Sequence, residues 1–239
     1  MQSAEGQSWS IIVFCFNEVD TVARIIGEAN QVLNEMSINL AEIIIVDDGS
    51  TDGSRDVIKQ TITKYPNAKY IFHETNKGIG HALRTGYFNA KYDNVCAVPA
   101  DGQFDLNELK PFAKFAPNTF ISFFRKENTS YSLFRNILSK FNRTLNQLLN
   151  GFNLLDVNWV KIYKREAIIK LNLQIESSLV ESEICAKLLK SGFEVKQIQS
   201  KYLKREFGES KGSSFKIVLQ ALKDTLALSK VLYTFKTNK

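Results

Sequence analysis

Residues 42–54 read EIIIVDDGSTDGS. The stretch EIIIV (42–46) is apolar and β-branched after its first residue, with no alternation. Strands covered on both faces, as central parallel strands are, read this way. The run then stops in Asp47-Asp48-Gly49-Ser50, a cluster of turn formers. In open α/β sheets, ligands bind beyond the carboxyl ends of the strands. The stretch therefore predicts a central strand that delivers carboxylates to a binding edge.

The same pattern repeats to either side. WSIIVFCF (9–16) is a buried strand followed by Asn17-Glu18. Val22, Ile25, Ile26, Ala29, Val32, Leu33 and Met36 then recur at helical spacing, with Asp20 as the expected N-cap. A helix carrying Val57, Ile58 and Ile62 follows the opening stretch. KYIFH (69–73) is a third strand, followed by the loop NKGIG and a helix. NVCAV (94–98) is a fourth strand and runs into PADGQFD (99–105). Strand–helix alternation with short links predicts a mostly parallel, Rossmann-like sheet flanked by helices.

After Leu106 the pattern changes. A helix is expected over 106–115, strands over 119–124, 158–164 and 193–198, and a helix near 180–190. A long amphipathic segment runs from Phe134 to Leu149. The last stretch, 214–235, is helix-like. The expected division is one α/β domain over 1–212 and an amphipathic helical tail over 213–239.

The chain has 239 residues, 44% hydrophobic and 23% charged, which suits one soluble domain with a sizeable core. Cys15, Cys96 and Cys185 are scattered and apolar in context. Such a set predicts reduced thiols in the cytoplasm, not a disulfide framework or zinc site. No basic residue precedes Arg24, which argues against a secretory leader. The net charge is +6, but residues 196–239 alone carry ten Lys/Arg against three Asp/Glu. That excess predicts an anionic contact, a phosphate or a membrane surface.

Three polar clusters end strands: Asn17-Glu18, Asp47-Asp48-Gly49-Ser50 and Asp101-Gly102-Gln103. One alone would read as turn chemistry; three on one sheet edge predict a site. Carboxylates only accept hydrogen bonds, so adjacent ones suit ribose hydroxyls and base N–H groups. Asp101 and Gln103 offer two hard oxygens at i and i+2. That suits Mg²⁺ or Mn²⁺ shared with substrate phosphates, since Mg²⁺ takes only one or two protein carboxylates. GIGHALRTG is not GxGxxG and follows the third strand, which excludes a dinucleotide dehydrogenase. The strand-end carboxylates would repel a nucleic acid.

In this order, SIIVFCFNE, IIIVDDGSTDGS, NKGIGHALRTG and PADGQFDLNEL resemble the GT-A fold of family 2 glycosyltransferases. REFGESKGS (205–213) resembles the branch of dolichyl-phosphate mannosyltransferase and the bacterial polyprenyl-phosphate glycosyltransferases. The resemblance covers roughly residues 9–215. It implies an inverting enzyme that uses a nucleotide-sugar donor and a divalent metal, Mg²⁺ or Mn²⁺. It further implies that Glu18, Asp47 and Asp48 hold the nucleotide. Lys77, Gly78 and Arg84 would shape the nucleotide-sugar pocket, and Asp101 with Gln103 would meet the metal. Arg125, Arg135 and Arg205, with Ser210 and Lys211, would handle the acceptor phosphate. Pro99 departs from the family pattern: it stands where many relatives carry the first aspartate of DxD, so the metal site keeps one carboxylate.

Two acceptors remain open. A lipid phosphate is already ionised and needs cations rather than a base. A sugar hydroxyl needs a general base, for which Glu181 and Asp156 are the candidates. A polyprenyl acceptor would bring the enzyme to the inner face of the cytoplasmic membrane. Asp48, at a strand end, is expected to face solvent and to matter more for nucleotide binding than for the fold.

Overall fold

The computed structural model describes residues 8–125, 153–205 and 215–235, with side chains of the last helix described from position 223. The first half alternates β1 (Ser8–Cys15), α1 (Val22–Glu35), β2 (Leu40–Asp47), α2 (Ser54–Ile62), β3 (Ala68–Phe72), α3 (Ile79–Asn89) and β4 (Asn94–Pro99). A 3₁₀ helix (Leu106–Phe112) leads to β5 (Thr119–Arg125). Then come β6 (Lys161–Lys164), α4 (Arg165–Ile169), α5 (Val180–Lys190), β7 (Glu194–Ser200) and α6 (Phe215–Thr234).

Among the described residues one sheet forms, in the order β3-β2-β1-β4-β6-β5-β7. β3, β2, β1 and β4 are parallel; β6 runs antiparallel to both β4 and β5; β7 is parallel to β5. The sheet is thus mostly parallel with one reversed strand, as GT-A resemblance implies.

The unbroken apolar strands have a simple cause. Successive side chains point to opposite faces, and both faces are covered. Ile11 and Val13 of β1, Ile43 and Ile45 of β2, and Cys96 and Val98 of β4 pack with α1, α2 and the 3₁₀ helix. Ile12, Ile44, Val46, Val95 and Ala97 pack on the other face with α3, α4, α5 and α6. Each fully buried Val, Leu or Ile contributes roughly 1.5–3 kcal/mol.

Some expectations shift. Helix α1 begins at Val22, and its N-cap is Thr21 rather than Asp20. The Thr21 hydroxyl does not cap the helix; it donates to the Ala100 carbonyl at 2.6 Å and ties the start of α1 to the end of β4. The helix expected over 106–115 is a shorter 3₁₀ helix with Pro111 inside it, because proline removes a backbone donor and crowds the preceding turn. The strand expected from 158 begins at Lys161. The amphipathic segment from Phe134 to Leu149 and the boundary at 212/213 lie outside the described residues. Helix α6 packs on α5 through Leu228 and Leu232, both buried, and Lys190 Nζ donates to the Leu232 carbonyl at 2.7 Å.

Candidate active site

Strands β1, β2 and β4 end side by side, with Cys15 paired to Asp47 and Phe14 to Pro99. The three polar clusters therefore meet at one edge. They open on a cleft of about 200 Å³, whose lining includes Phe14, Glu18, Asp48, Ile79, Pro99 and Asp101.

The DDGSTDGS loop is built by its own side chains. Asp47 is buried; its Oδ2 accepts from the Ser50 amide at 3.2 Å and from Arg55 Nε at 2.8 Å. Its Oδ1 has no hydrogen-bond partner among the described residues. Ser50 and Ser54 hydroxyls receive the Asn17 and Glu18 amides at 2.9 and 3.0 Å, which joins this loop to the end of β1. Gly49 has φ +79°, and a Cβ there would lie 2.3 Å from the Asn76 amide nitrogen. Only glycine allows both that backbone and that approach.

Asp48 corrects an expectation. It is buried, and the protein itself engages both its oxygens. Oδ1 accepts from the Lys77 amide at 3.0 Å and faces His73 Nδ1 at 2.7 Å; Oδ2 accepts from the Gly78 amide at 2.7 Å. Asp48 thus anchors the NKGIG loop against the end of β2, while the Lys77 side chain stays exposed. We expect Asp48→Ala to lower stability by about 1–3 kcal/mol, since it strands buried donors. At this chain length that is roughly 2–4 °C of melting temperature per kcal/mol. Calorimetric melting beside nucleotide titration checks this; an unchanged melting temperature would contradict the anchoring role.

The metal candidates sit on the turn after β4. Asp101 Oδ1 accepts from the Gln103 amide at 3.0 Å, and Gln103 Nε2 donates to the Tyr202 hydroxyl at 2.5 Å. That contact gives the nitrogen end of the side-chain amide to Tyr202 and leaves the oxygen as the end suited to a cation. Burial pushes the Asp101 carboxyl up, while the Gln103 amide, Arg205 and Arg125 pull it down. No cluster of three or more His, Cys, Asp or Glu with metal-binding spacing occurs among the described residues. The donor set therefore fits a hard cation that draws its remaining ligands from substrate phosphates and water.

A return segment closes this side. Tyr202 bridges to Phe104, and the Leu203 amide donates to the Gln103 carbonyl at 3.0 Å. This carries Arg205 to Glu18, with which it forms an ion pair. Burial raises the Glu18 carboxyl, and Arg205 opposes that rise. Cys15, at the floor of the cleft, is pushed up to about 12 by burial and the neighbouring Asp47, so it stays a neutral thiol.

Other expected site residues have structural partners. Arg84 donates through one nitrogen to the carbonyls of Leu173 and Ile175 at 2.9 and 3.1 Å, pinning α3 to that loop. Arg125 makes a two-pronged pair with Asp156, at 2.7 and 3.2 Å, and lies 4.4 Å over the Trp159 ring. Glu181 is 6% exposed, between the Tyr87 and Tyr163 hydroxyls at 2.5 and 2.6 Å, with Lys161 Nζ at 3.9 Å. It stands in the core beside α3 and β6, not among the residues lining the cleft. Arg135, Ser210 and Lys211 lie outside the described residues. Sequence reading overlooked Arg55 and Thr21, and took His73 for a plain strand end. Thr21 and His73 act through partners distant in the chain, and Arg55 joins Asp47 to the His73 carbonyl; no local pattern marks such contacts.

The mostly parallel sheet of this order, with polar clusters converging at the ends of β1, β2 and β4, has the GT-A fold, and the family and relatives it matches make it a nucleotide-sugar-dependent glycosyltransferase. The chain belongs to glycosyl transferase family 2, whose family model matches residues 10–171. It is 23% identical over 228 residues to polyprenol monophosphomannose synthase of Mycolicibacterium smegmatis, covering 87% of this chain and 82% of that one. It is 24% identical over 215 residues to undecaprenyl-phosphate 4-deoxy-4-formamido-L-arabinose transferase of Edwardsiella ictaluri, covering 87% of this chain and 64% of that one. The fold matches glucosyl-3-phosphoglycerate synthase from Mycobacterium tuberculosis, solved with Mn²⁺, UDP and phosphoglyceric acid. That match has a TM-score of 0.67 at 16% identity and covers 94% of this chain and 79% of that one.

Proposed function

We propose that this enzyme moves a sugar from a nucleotide-sugar donor to a polyprenyl phosphate, with inversion and with a divalent cation at Asp101 and Gln103. One observation carries the choice of acceptor. The two carboxylates named from sequence as general base for a hydroxyl acceptor are both committed: Glu181 to two tyrosine hydroxyls and Asp156 to Arg125. A phosphate acceptor is ionised near neutral pH and needs no base; it needs cations to hold two phosphates together. Arg205 stands beside the cleft for that task, with Arg135 and Lys211 assigned by resemblance. The names of the relatives, which are polyprenol- and undecaprenyl-phosphate transferases, favour the same reading.

The chain's residues divide the work. Glu18 lines the cleft and takes the nucleoside, while Asp47, assigned to the nucleoside by resemblance, is fully buried, its Oδ1 without a hydrogen-bond partner among the described residues. Asp48 holds the Lys77–Gly78 loop that walls the cleft. Asp101 and Gln103 would hold the cation, which when bound would supply Lewis-acid stabilisation of charge on a diphosphate leaving group. Arg205 leaves Glu18 for the incoming phosphate. The test is an assay with labelled nucleotide sugars, Mn²⁺ and undecaprenyl phosphate, reading label in the organic phase. Label on a glycan alone would move the acceptor to a hydroxyl.

The same acceptor implies work at the inner face of the cytoplasmic membrane. No helix among the described residues is long and apolar enough to cross a membrane. Helix α6 shows two stripes instead. Thr225, Leu228 and Leu232 are buried, while Lys223, Leu226, Lys230 and Tyr233 are exposed, Leu226 at 66% and Tyr233 at 90%. Apolar and aromatic groups between lysines suit an anionic interface, each lysine adding about 1 kcal/mol. Because α6 also packs on α5, removing the helix would expose core. Charge reversal on the outer stripe is the cleaner probe. We expect Lys223→Glu with Lys230→Glu to reduce pelleting with anionic liposomes, and added salt to do the same to the parent protein. Equal pelleting of both proteins at all salt concentrations would leave the stripe without a membrane role.

A further inference from the structure

We propose that His73 is a positioning residue for the donor cleft: its ring locks Asp48, and through Asp48 the Lys77–Gly78 loop, in the conformation that admits the nucleotide. The inference rests on the glycosyltransferase reading and adds a residue to it.

His73 follows β3 directly and is buried. Its backbone is fixed first: its amide donates to the Asp47 carbonyl at 2.9 Å, and Arg55 donates to its carbonyl. The ring then spans two elements. Nδ1 meets Asp48 Oδ1 at 2.7 Å, and Nε2 meets Thr85 Oγ1 of α3 at 2.9 Å. A carboxylate only accepts, so Nδ1 carries the proton. In the neutral ring Nε2 is then an acceptor, and the Thr85 hydroxyl donates to it. One side chain thus joins the end of β2 to α3, and the chain between His73 and Thr85 includes Asn76 and Ile79 of the cleft lining.

Asp48 alone does not fix this wall. Its carboxylate receives the Lys77 and Gly78 amides on separate oxygens, and rotation about its side-chain bonds would break both. The His73 N–H is the contact that comes from outside the loop and sets that rotation. Gly80 adds a second constraint on the wall: a Cβ there would lie 2.1 Å from the Glu176 carbonyl oxygen, so α3 begins hard against that segment. A wall held this closely presents Asn76 and Ile79 to the cleft already in place, which is how supporting hydrogen bonds preserve a site's geometry. His73 itself is not among the residues lining the cleft, so removing its ring acts on the site only through Asp48 and the wall that Asp48 holds.

The test uses His73→Leu, which removes the N–H, and His73→Asn, whose amide N–H falls near the position of Nδ1. Binding of UDP, GDP, CDP, ADP and dTDP, each with Mn²⁺, is measured by calorimetry at a temperature where every variant is folded. For the diphosphate that the parent protein binds, we expect His73→Leu to weaken affinity by about tenfold, as loss of a hydrogen bond to a charged group does. His73→Asn is expected to restore most of it. A merely structural histidine would lower the melting temperature in both variants and leave affinity alone. Parental affinity in His73→Leu, or no rescue by His73→Asn, overturns the inference while the donor reading stands. Failure of the parent protein to bind any of the five overturns the donor reading and this inference with it. If His73→Leu does not fold, Thr85→Val replaces it, and parental affinity in that variant is equally fatal.

Discussion

Asp101→Asn should lower sugar transfer by about 10²–10³-fold, the range for removing one electrostatic stabiliser of a transition state, and leave the fold intact. The reasons are local. Asp101 is the carboxylate on the turn after β4, and Pro99 two residues earlier can supply no side-chain ligand. Burial raises its carboxyl, and the cations that oppose that rise, Arg205 and Arg125, act through space. The charge is thus held in a place that costs energy, which suits a cation-binding role better than a structural one. Asparagine keeps an oxygen to accept the Gln103 amide, so the turn survives. It removes the charge that a divalent cation needs. The measurements are single-turnover rates across an Mn²⁺ titration, with melting temperature as the control for folding. Turnover equal to the parent protein at every Mn²⁺ concentration would sink the metal assignment.

The parallel half of the sheet is legible in sequence because one physical cause writes it. Strands covered on both faces must be apolar along their covered length, and IIIV (43–46) and IIV (11–13) are. The turn clusters are legible for a related reason: a strand end beside a binding edge has to change from apolar to polar within a residue or two. What lies within those clusters is less legible. Asp47 and Asp48 are neighbours of one residue type, yet among the described residues one keeps a buried oxygen without a partner and the other has both oxygens filled. The difference is set by His73, Lys77 and Gly78, which lie 25 to 30 residues away. Glu181 shows the same limit on a longer scale. Its helix-start position suggests a base or a dipole-favoured carboxylate, and its partner Tyr87 is 94 residues distant. Polar partnerships of this kind depend on register and helix placement, which hydrophobic periodicity does not encode. Pairing of Arg84 with the Leu173 and Ile175 carbonyls escapes a sequence reading for that reason too.

The second large effect separates the two acceptors. Arg205→Ala should reduce transfer to a lipid phosphate by about 10²-fold, comparable to loss of an electrostatic contact made in the transition state. Arg205 is carried to the cleft by the Tyr202–Gln103 and Leu203–Gln103 contacts, and it pairs with Glu18 there. An arginine in this position can present two N–H groups to one phosphate. Its loss also removes the cation that opposes the burial-driven rise of Glu18, so the nucleotide side weakens together with the acceptor side. Glu181→Gln should behave differently. The glutamine oxygen can still accept from one tyrosine hydroxyl, and its amide can donate to the other. Lys161 keeps the carbonyls of Val157 and Trp159, at 2.6 and 2.8 Å. We therefore expect substantial activity in Glu181→Gln, with stability lowered by about 1–3 kcal/mol as a buried charged hydrogen-bond network is weakened. Both variants are assayed with undecaprenyl phosphate and with an oligosaccharide acceptor, at matched folded fractions. A hydroxyl acceptor demands a base, so an inactive Glu181→Gln beside an active Arg205→Ala would reverse the assignment. In that case the buried carboxylate between Tyr87 and Tyr163 would have to reach the acceptor, and the phosphate reading would be given up.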